Sequence, residues 1–213
     1  MSLLQPVKAE SLSTQVADTI RAAIFNRELL PGQVIRELAL AKSLQVSQAT
    51  VREALAQLES YGLVVRTPNR STAVSSLSEA EVRDRLAVRL NLETLAFEQA
   101  VQFVTDEEIG GLRSLADHFL EVRDKGDVAS VVGAERAFFQ KAWQLSRNPV
   151  LARILDQLTT PLYAIWTDRH PASEHLVQGL LTALAGRNPE GIREALEQRP
   201  LAEGASAGDT STH

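Results

Sequence analysis

The chain has 213 residues, 44% hydrophobic and 23% charged, with a net charge of −5 at pH 7. That length holds one large or two small domains, each with its own core. The absence of cysteine excludes disulfides, thiolate chemistry and Cys-ligated zinc, and no apolar run approaches the roughly 18 residues of a membrane span.

Charge is unevenly spread. Residues 1–76 hold eight Lys and Arg against six acids, a net +2, and residues 77–213 carry −7. A mildly basic N-terminal third fits a DNA-binding portion joined to one that avoids DNA, although two unrelated surfaces can also differ by this much. No signal-peptide pattern opens the sequence, so a cytoplasmic location is expected.

The first helix spans Leu12 to Phe25, where Leu12, Val16, Ile20, Ala23 and Ile24 recur at helical spacing. Pro31-Gly32 ends that region as a turn, since Pro fixes φ and Gly permits φ > 0. A short helix follows from Arg36 to Leu44, with Leu38, Ala39, Ala41 and Leu44 as its apolar positions. A tight turn leads to Ser47, a good N-cap for a third helix whose buried stripe is Val51, Ala54, Leu55 and Leu58. Gly62 supplies the terminating left-handed position. "LVVRT" and "STAVSS" then read as two strands of a hairpin around "PNR". Three helices and a hairpin in this order form the winged helix-turn-helix plan.

The stretch "ELLPGQVIRELALAKSLQVSQATVREALAQLESYGLV" resembles the N-terminal domain of the GntR family of bacterial transcription regulators. The resemblance is carried by Leu30-Pro31-Gly32, Ser47, Val51-Arg52-Glu53-Ala54-Leu55, Leu58-Glu59 and Gly62-Leu63. It implies double-stranded DNA as partner, with the tip of the third helix reading base edges. Ser47, Gln48, Thr50 and Arg52 are the short or forked polar side chains such a tip needs. Arg36 matches a family position that contacts the DNA backbone, and Arg70 sits at the hairpin tip. The residue after the capping Ser is usually Arg in the family; Gln48 stands there, and its amide suits adenine rather than guanine. Family wings follow the tip Arg with Gly, where this chain has Ser71. If φ > 0 is needed there, Ser71 is strained. Ser47 as a plain cap and Arg52 as a solvated charge are the alternatives.

From residue 77 to 201 the sequence reads as helices only, over 79–103, 106–125, 128–146, 149–167, 173–186 and 189–198. Ser78 with Glu81 and Thr105 with Glu108 form capping boxes, and Asn148-Pro149 and Asn188-Pro189 each place a cap before a first-position Pro. Residues 202–213 read as a disordered tail. "RLAVRLNLETLAFEQA" resembles the opening of the FCD ligand domain of the FadR subgroup, and "FFQKAWQLSRNPVL" and "EHLVQGLLTALAGRNPEGIREAL" match its later landmarks. The expected fold class is therefore mostly α: a winged helix-turn-helix domain over 1–76 and an all-helical effector and dimerisation domain over 77–201.

Many FCD domains hold a divalent metal through one Asp and three His. The resemblance places those positions on Glu135, Phe139, His175 and Arg199. Phe139 has no donor and Arg199 stays charged, so no bound metal and no cofactor are expected. Arg199 with Arg89 would instead offer fork-shaped recognition to an organic acid, with Glu135 and His175 beside them. A structural Glu135–Arg199 ion pair is the alternative. Trp143, Trp166, Phe138 and Tyr163 are expected in the core. No HExxH, GxxxxGK[ST] or GxSxG motif is present, and His118, His170, His175 and His213 lack ligand spacing, so no enzyme is expected.

The expected protein is a homodimeric regulator, a repressor, that binds a short palindromic operator and responds to a small metabolite. A constitutive DNA binder with a degenerate sensor pocket and a helical protein-interaction module stay open beside it.

Overall fold

The computed structural model describes residues 11–67, 71–125, 127–165 and 172–198. The chain forms two compact units that divide between Ser75 and Ser76.

The first unit contains α1 (Leu12–Phe25), β1 (Val34–Ile35), α2 (Glu37–Leu44), α3 (Gln48–Ser60), β2 (Val64–Thr67) and β3 (Ser71–Val74). Helix α1 starts on Ser11, whose side chain accepts the Thr14 N–H, and α3 starts on Ser47, whose hydroxyl accepts the Thr50 N–H at 3.0 Å. Between α2 and α3 the chain turns through Gln45, which takes a left-handed conformation at φ 56°. Gly62 does the same at φ 70° after α3, where a side chain would meet the backbone and glycine does not. Val51, Ala54, Leu55 and Leu58 form the buried stripe of α3 as expected, and α3 packs chiefly on α1, whose buried residues include Val16, Ile20 and Ile24. Three of the expected apolar positions are on the surface: Leu12 is 54% exposed, Leu38 is 72% exposed, and Ala39 is exposed beside it. In α2 it is Ala41 that faces inward.

The expected hairpin is part of a three-stranded antiparallel sheet in the order β1-β3-β2. Thr67 faces Ser71 across the β2–β3 ladder, and Val34 faces Ala73 on the other side of β3. The two-residue β1 had no sequence signal of its own; it follows the Pro31-Gly32 turn, whose Gly32 N–H donates to the Val74 carbonyl at 2.9 Å. Ser71 opens β3 without a positive φ, so the feared strain at that position does not arise.

The second unit is helical among its described residues: α4 (Glu79–Phe103), α5 (Asp106–Lys125), α6 (Val128–Gln144), α7 (Pro149–Ile165), α8 (Glu174–Ala185) and α9 (Pro189–Glu197). Both capping boxes form: the Ser78 N–H donates to Glu81 at 2.8 Å, and the Thr105 N–H donates to Glu108 at 3.0 Å. The two Arg-Asn-Pro stretches make the same turn. Arg147 and Arg187 are left-handed at φ 58° and 50°, and Asn148 and Asn188 then cap α7 and α9 with their side-chain oxygens. Arg147 also reaches Glu108 at 2.7 Å, tying the α6–α7 turn to the start of α5.

Helix α4 runs through the middle of this unit, packed on α6, α7 and α9. The core around it holds Phe97, Phe119, Phe138, Phe139, Trp143 and Tyr163, each 1% exposed or less. Three of the expected core aromatics, Phe138, Trp143 and Tyr163, are thus buried; Trp166 lies outside the described residues. A bidentate pair between Arg136 of α6 and Asp156 of α7, Nε to Oδ1 at 3.3 Å and Nη2 to Oδ2 at 3.2 Å, fixes those two helices against each other.

Leu55 is fully buried between α1 and α3. Leu55→Ala is expected to cost about 2–5 kcal/mol, read as a lower midpoint of denaturant unfolding. Ser78→Ala, which removes only a cap, is expected to cost about 1 kcal/mol in the same measurement.

Candidate nucleic-acid interface and effector region

Helix α3 buries one stripe and leaves the opposite side of its first turns to solvent. Ser47 and Arg52 are exposed, and Gln48 and Thr50 are half-buried. Ser47 is occupied as the cap, with its hydroxyl also 2.8 Å from that of Thr50. Gln48 and Arg52, four residues apart, share one face of the helix.

Both of those side chains meet one carboxylate. Glu37, the first residue of α2, accepts from Arg52 Nε at 2.8 Å and from Gln48 Nε2 at 3.3 Å, both on Oε2. Its other oxygen, Oε1, faces Arg66 of β2 at 3.5 Å. Arg66 reaches on to Glu59 near the end of α3, at 4.0 Å. One glutamate therefore joins α2, the reading helix and the sheet. The hydrogen bond from Arg52 holds the Glu37 carboxyl below the usual carboxylate range, helped by Gln48 and Arg66 and opposed by partial burial.

Glu37, Arg52, Arg66 and Glu59 line a cleft of about 850 Å³, together with Arg36, Thr67, Ser71 and Thr72. Its three guanidiniums outnumber its two carboxylates, Glu37 and Glu59. Arg36 is exposed at the start of α2 and makes no capping bond with its side chain. Arg70 lies outside the described residues. Sequence reading missed Glu37 and Arg66. Glu37 looks like an ordinary acid in the first turn of a helix, and its partners are 11, 15 and 29 residues away.

In the second unit Arg89 and Glu135 are buried, at 1% and 3% exposure. Arg89 Nε donates to Glu93 Oε1 one turn along α4, at 3.0 Å. Trp143 Nε1 of α6 donates to the same oxygen at 3.3 Å, and the Arg89 guanidinium lies over the Phe139 ring at 5.3 Å. Burial opposes the Arg89 charge, and Glu93, Tyr163 and Glu135 outweigh it, so its pKa is raised. Glu93 thus gives Arg89 a counter-charge within the fold, a partner that the sequence reading did not include. His175 is exposed on α8 and lines a depression of about 610 Å³ with Gln178, Asn188 and Glu194; neither Arg89 nor Glu135 lines it. Arg199 lies outside the described residues.

Comparison with known proteins matches residues 12–74 to the bacterial regulatory proteins of the gntR family, and residues 84–199 to the FCD domain. The chain belongs to the GntR family of transcriptional regulators, with an FCD effector-binding domain. It is 26% identical over 200 residues to the HTH-type transcriptional regulator McbR of Escherichia coli, covering 90% of each chain. It is 25% identical over 178 residues to the gluconate operon transcriptional repressor of Bacillus subtilis, covering 82% of this chain and 68% of that one. The solved structure of Escherichia coli McbR superposes with a TM-score of 0.73, over 89% of this chain and 93% of that one.

The regulator's FCD domain does not fit the metal found in many such domains. Of the positions that resemblance assigns, Glu135 is a buried carboxylate, Phe139 presents its ring face to a guanidinium, and His175 points to solvent. A divalent cation beside Glu135 would sit near the permanent Arg89 charge. Among the described residues no group of three or more His, Cys, Asp and Glu could hold a metal.

Arg89→Met leaves the Glu93 charge buried without its partner and is expected to destabilise the regulator by about 3–5 kcal/mol in urea unfolding. Adding Glu93→Leu is expected to recover much of that loss, because no unpaired charge then remains. Glu37 has a depressed pKa, so its contribution to stability is complete at neutral pH and lost as pH falls through that value. The melting temperatures of wild type and Glu37→Gln are therefore expected to differ at pH 7 and converge below the ordinary glutamate range of about 4.3.

Proposed function

We propose that this regulator is a repressor that binds a short two-fold operator as a homodimer, with α3 in the major groove. The observation that carries the reading is the α3 face: Gln48 and Arg52 share it one turn apart, and Arg52 lines a cleft whose other walls are Arg36, Arg66 and the sheet. A helix of 13 residues buries little surface on DNA, so two copies on two half-sites supply the affinity one lacks. Arg36, Ser47, Thr50 and the hairpin residues Arg70 and Ser71 are assigned to backbone and flanking contacts. The net +2 of residues 1–76 supports DNA over an acidic protein surface as partner.

The FCD domain is assigned as the sensor, in the manner of the FadR subgroup, with Arg89 and Glu135 at its buried polar centre. That centre holds one guanidinium and two carboxylates among the described residues. An organic-acid effector therefore depends on Arg199 for its counter-charge. A ligand rich in donors or carrying a cationic nitrogen would be matched by Glu135 directly. Effector binding shifts the population of dimers whose reading helices fit the operator spacing. No helix among the described residues is long and apolar enough to cross a membrane, and the reading assigns a cytoplasmic regulator without catalytic activity. A constitutive binder with a degenerate sensor is the second reading, favoured by the Glu93 counter-charge that already matches Arg89.

DNA binding through several phosphate contacts must weaken steeply with salt. Titration of the full chain against operator DNA is expected to give a linear fall of log affinity with log salt concentration. Arg36→Ala is expected to lower the slope by about one unit. Binding insensitive to salt would favour the protein-interaction reading. Thermal shift with separate panels of organic acids and amines, repeated on Arg199→Ala, tests the sensor. An acid-induced rise that Arg199→Ala abolishes supports the acid effector, and no shift with either panel supports the constitutive binder.

A further inference from the structure

The reading side chains of α3 are not presented to solvent in arbitrary orientations. Arg52 donates to Glu37 through Nε, the side edge of its guanidinium, at 2.8 Å. That bond leaves the two terminal nitrogens of the fork pointing away from the carboxylate, while the side chain stays 59% exposed. An end-on fork of two parallel donors matches the O6 and N7 acceptors of guanine.

Gln48 is oriented by the same atom. A carboxylate only accepts hydrogen bonds, so the Gln48 amide nitrogen must be the end that faces Glu37 Oε2, 3.3 Å away. The carbonyl end is thereby turned from Glu37, as an acceptor. In the major groove an acceptor meets the amine of adenine or cytosine and is repelled by guanine, whose edge carries acceptors alone. The second oxygen of Glu37 is braced by Arg66, which reaches Glu59 of the same helix α3, so the carboxylate is held from two sides.

We infer that Glu37 is the positioning residue that sets base preference: through its carboxylate it fixes Arg52 to read guanine and Gln48 to read an amine-bearing base. Four residues of helix rise about 6 Å, so the two bases lie about two base-pair steps apart in each half-site. Glu37 itself touches no base. Its negative charge also lies beside the DNA backbone, so it weakens non-specific binding while sharpening the specific kind. This inference rests on the proposal that α3 reads DNA.

Selection of bound sequences from random double-stranded DNA, using the full chain, tests it. Wild type is expected to enrich a guanine and, about two steps away, adenine or cytosine; Arg52→Ala is expected to lose the guanine alone. Glu37→Gln and Glu37→Ala are expected to relax both positions by roughly tenfold while binding non-specific DNA as well as wild type or better. That combination is one a merely structural role does not produce. Two results overturn the inference: Glu37 variants that keep both preferences, or that lose affinity equally for all sequences. A wild type that selects no sequence overturns the DNA-reading proposal together with this one.

Discussion

A single carboxylate connects the parts of the first unit that must act together. Glu37 stands at the start of α2 and takes its partners from α3 and β2, elements that are distant in sequence. Hydrophobic packing of α1 on α3 sets where the reading helix lies, but packing is blind to the rotation of a long polar side chain on the opposite face. Directional hydrogen bonds to a charged acceptor supply that information. The cleft around Glu37 is open, so each ion pair there is individually weak, and it is the convergence of Arg52, Gln48 and Arg66 on one carboxylate that holds the arrangement.

The second unit uses the same two residue types for a different end. Arg89 and Glu93 are also a guanidinium and a carboxylate, but both are buried, with Trp143 donating to the carboxylate and the Phe139 ring under the guanidinium. In so little water, separation would leave a bare charge, so the pair is a fixed part of the fold. It also changes what the domain can bind. Arg89 is a permanent cation already countered by Glu93, with Glu135 as a further carboxylate acting on its charge.

Local features were legible in the sequence because their causes are local. Every helix start marked by a Ser, Thr or Asn cap is where the hydrogen-bonding of that residue puts it, and the Arg-Asn-Pro turns repeat because the same three residues make the same demands twice. The stripe of α3 followed from its spacing. What failed was tertiary. Leu38 has helical spacing yet faces solvent, since only one side of the short α2 is covered. Strand β1 is two residues long and exists because β3 offers an edge, not because Val34-Ile35 has an alternating pattern. The Arg89–Glu93 pair was not anticipated, although the spacing of four on one helix was in plain view. Glu37 was invisible as a positioning group because its function depends on residues brought together by folding.

The central claim is that the Glu37–Arg52 bond persists while Arg52 reads a base. A structure of the regulator on its selected operator tests it most directly. The account predicts Arg52 Nε still donating to Glu37, with both terminal nitrogens on the O6 and N7 of one guanine. A structure in which that bond is broken and Arg52 lies on a phosphate would contradict it.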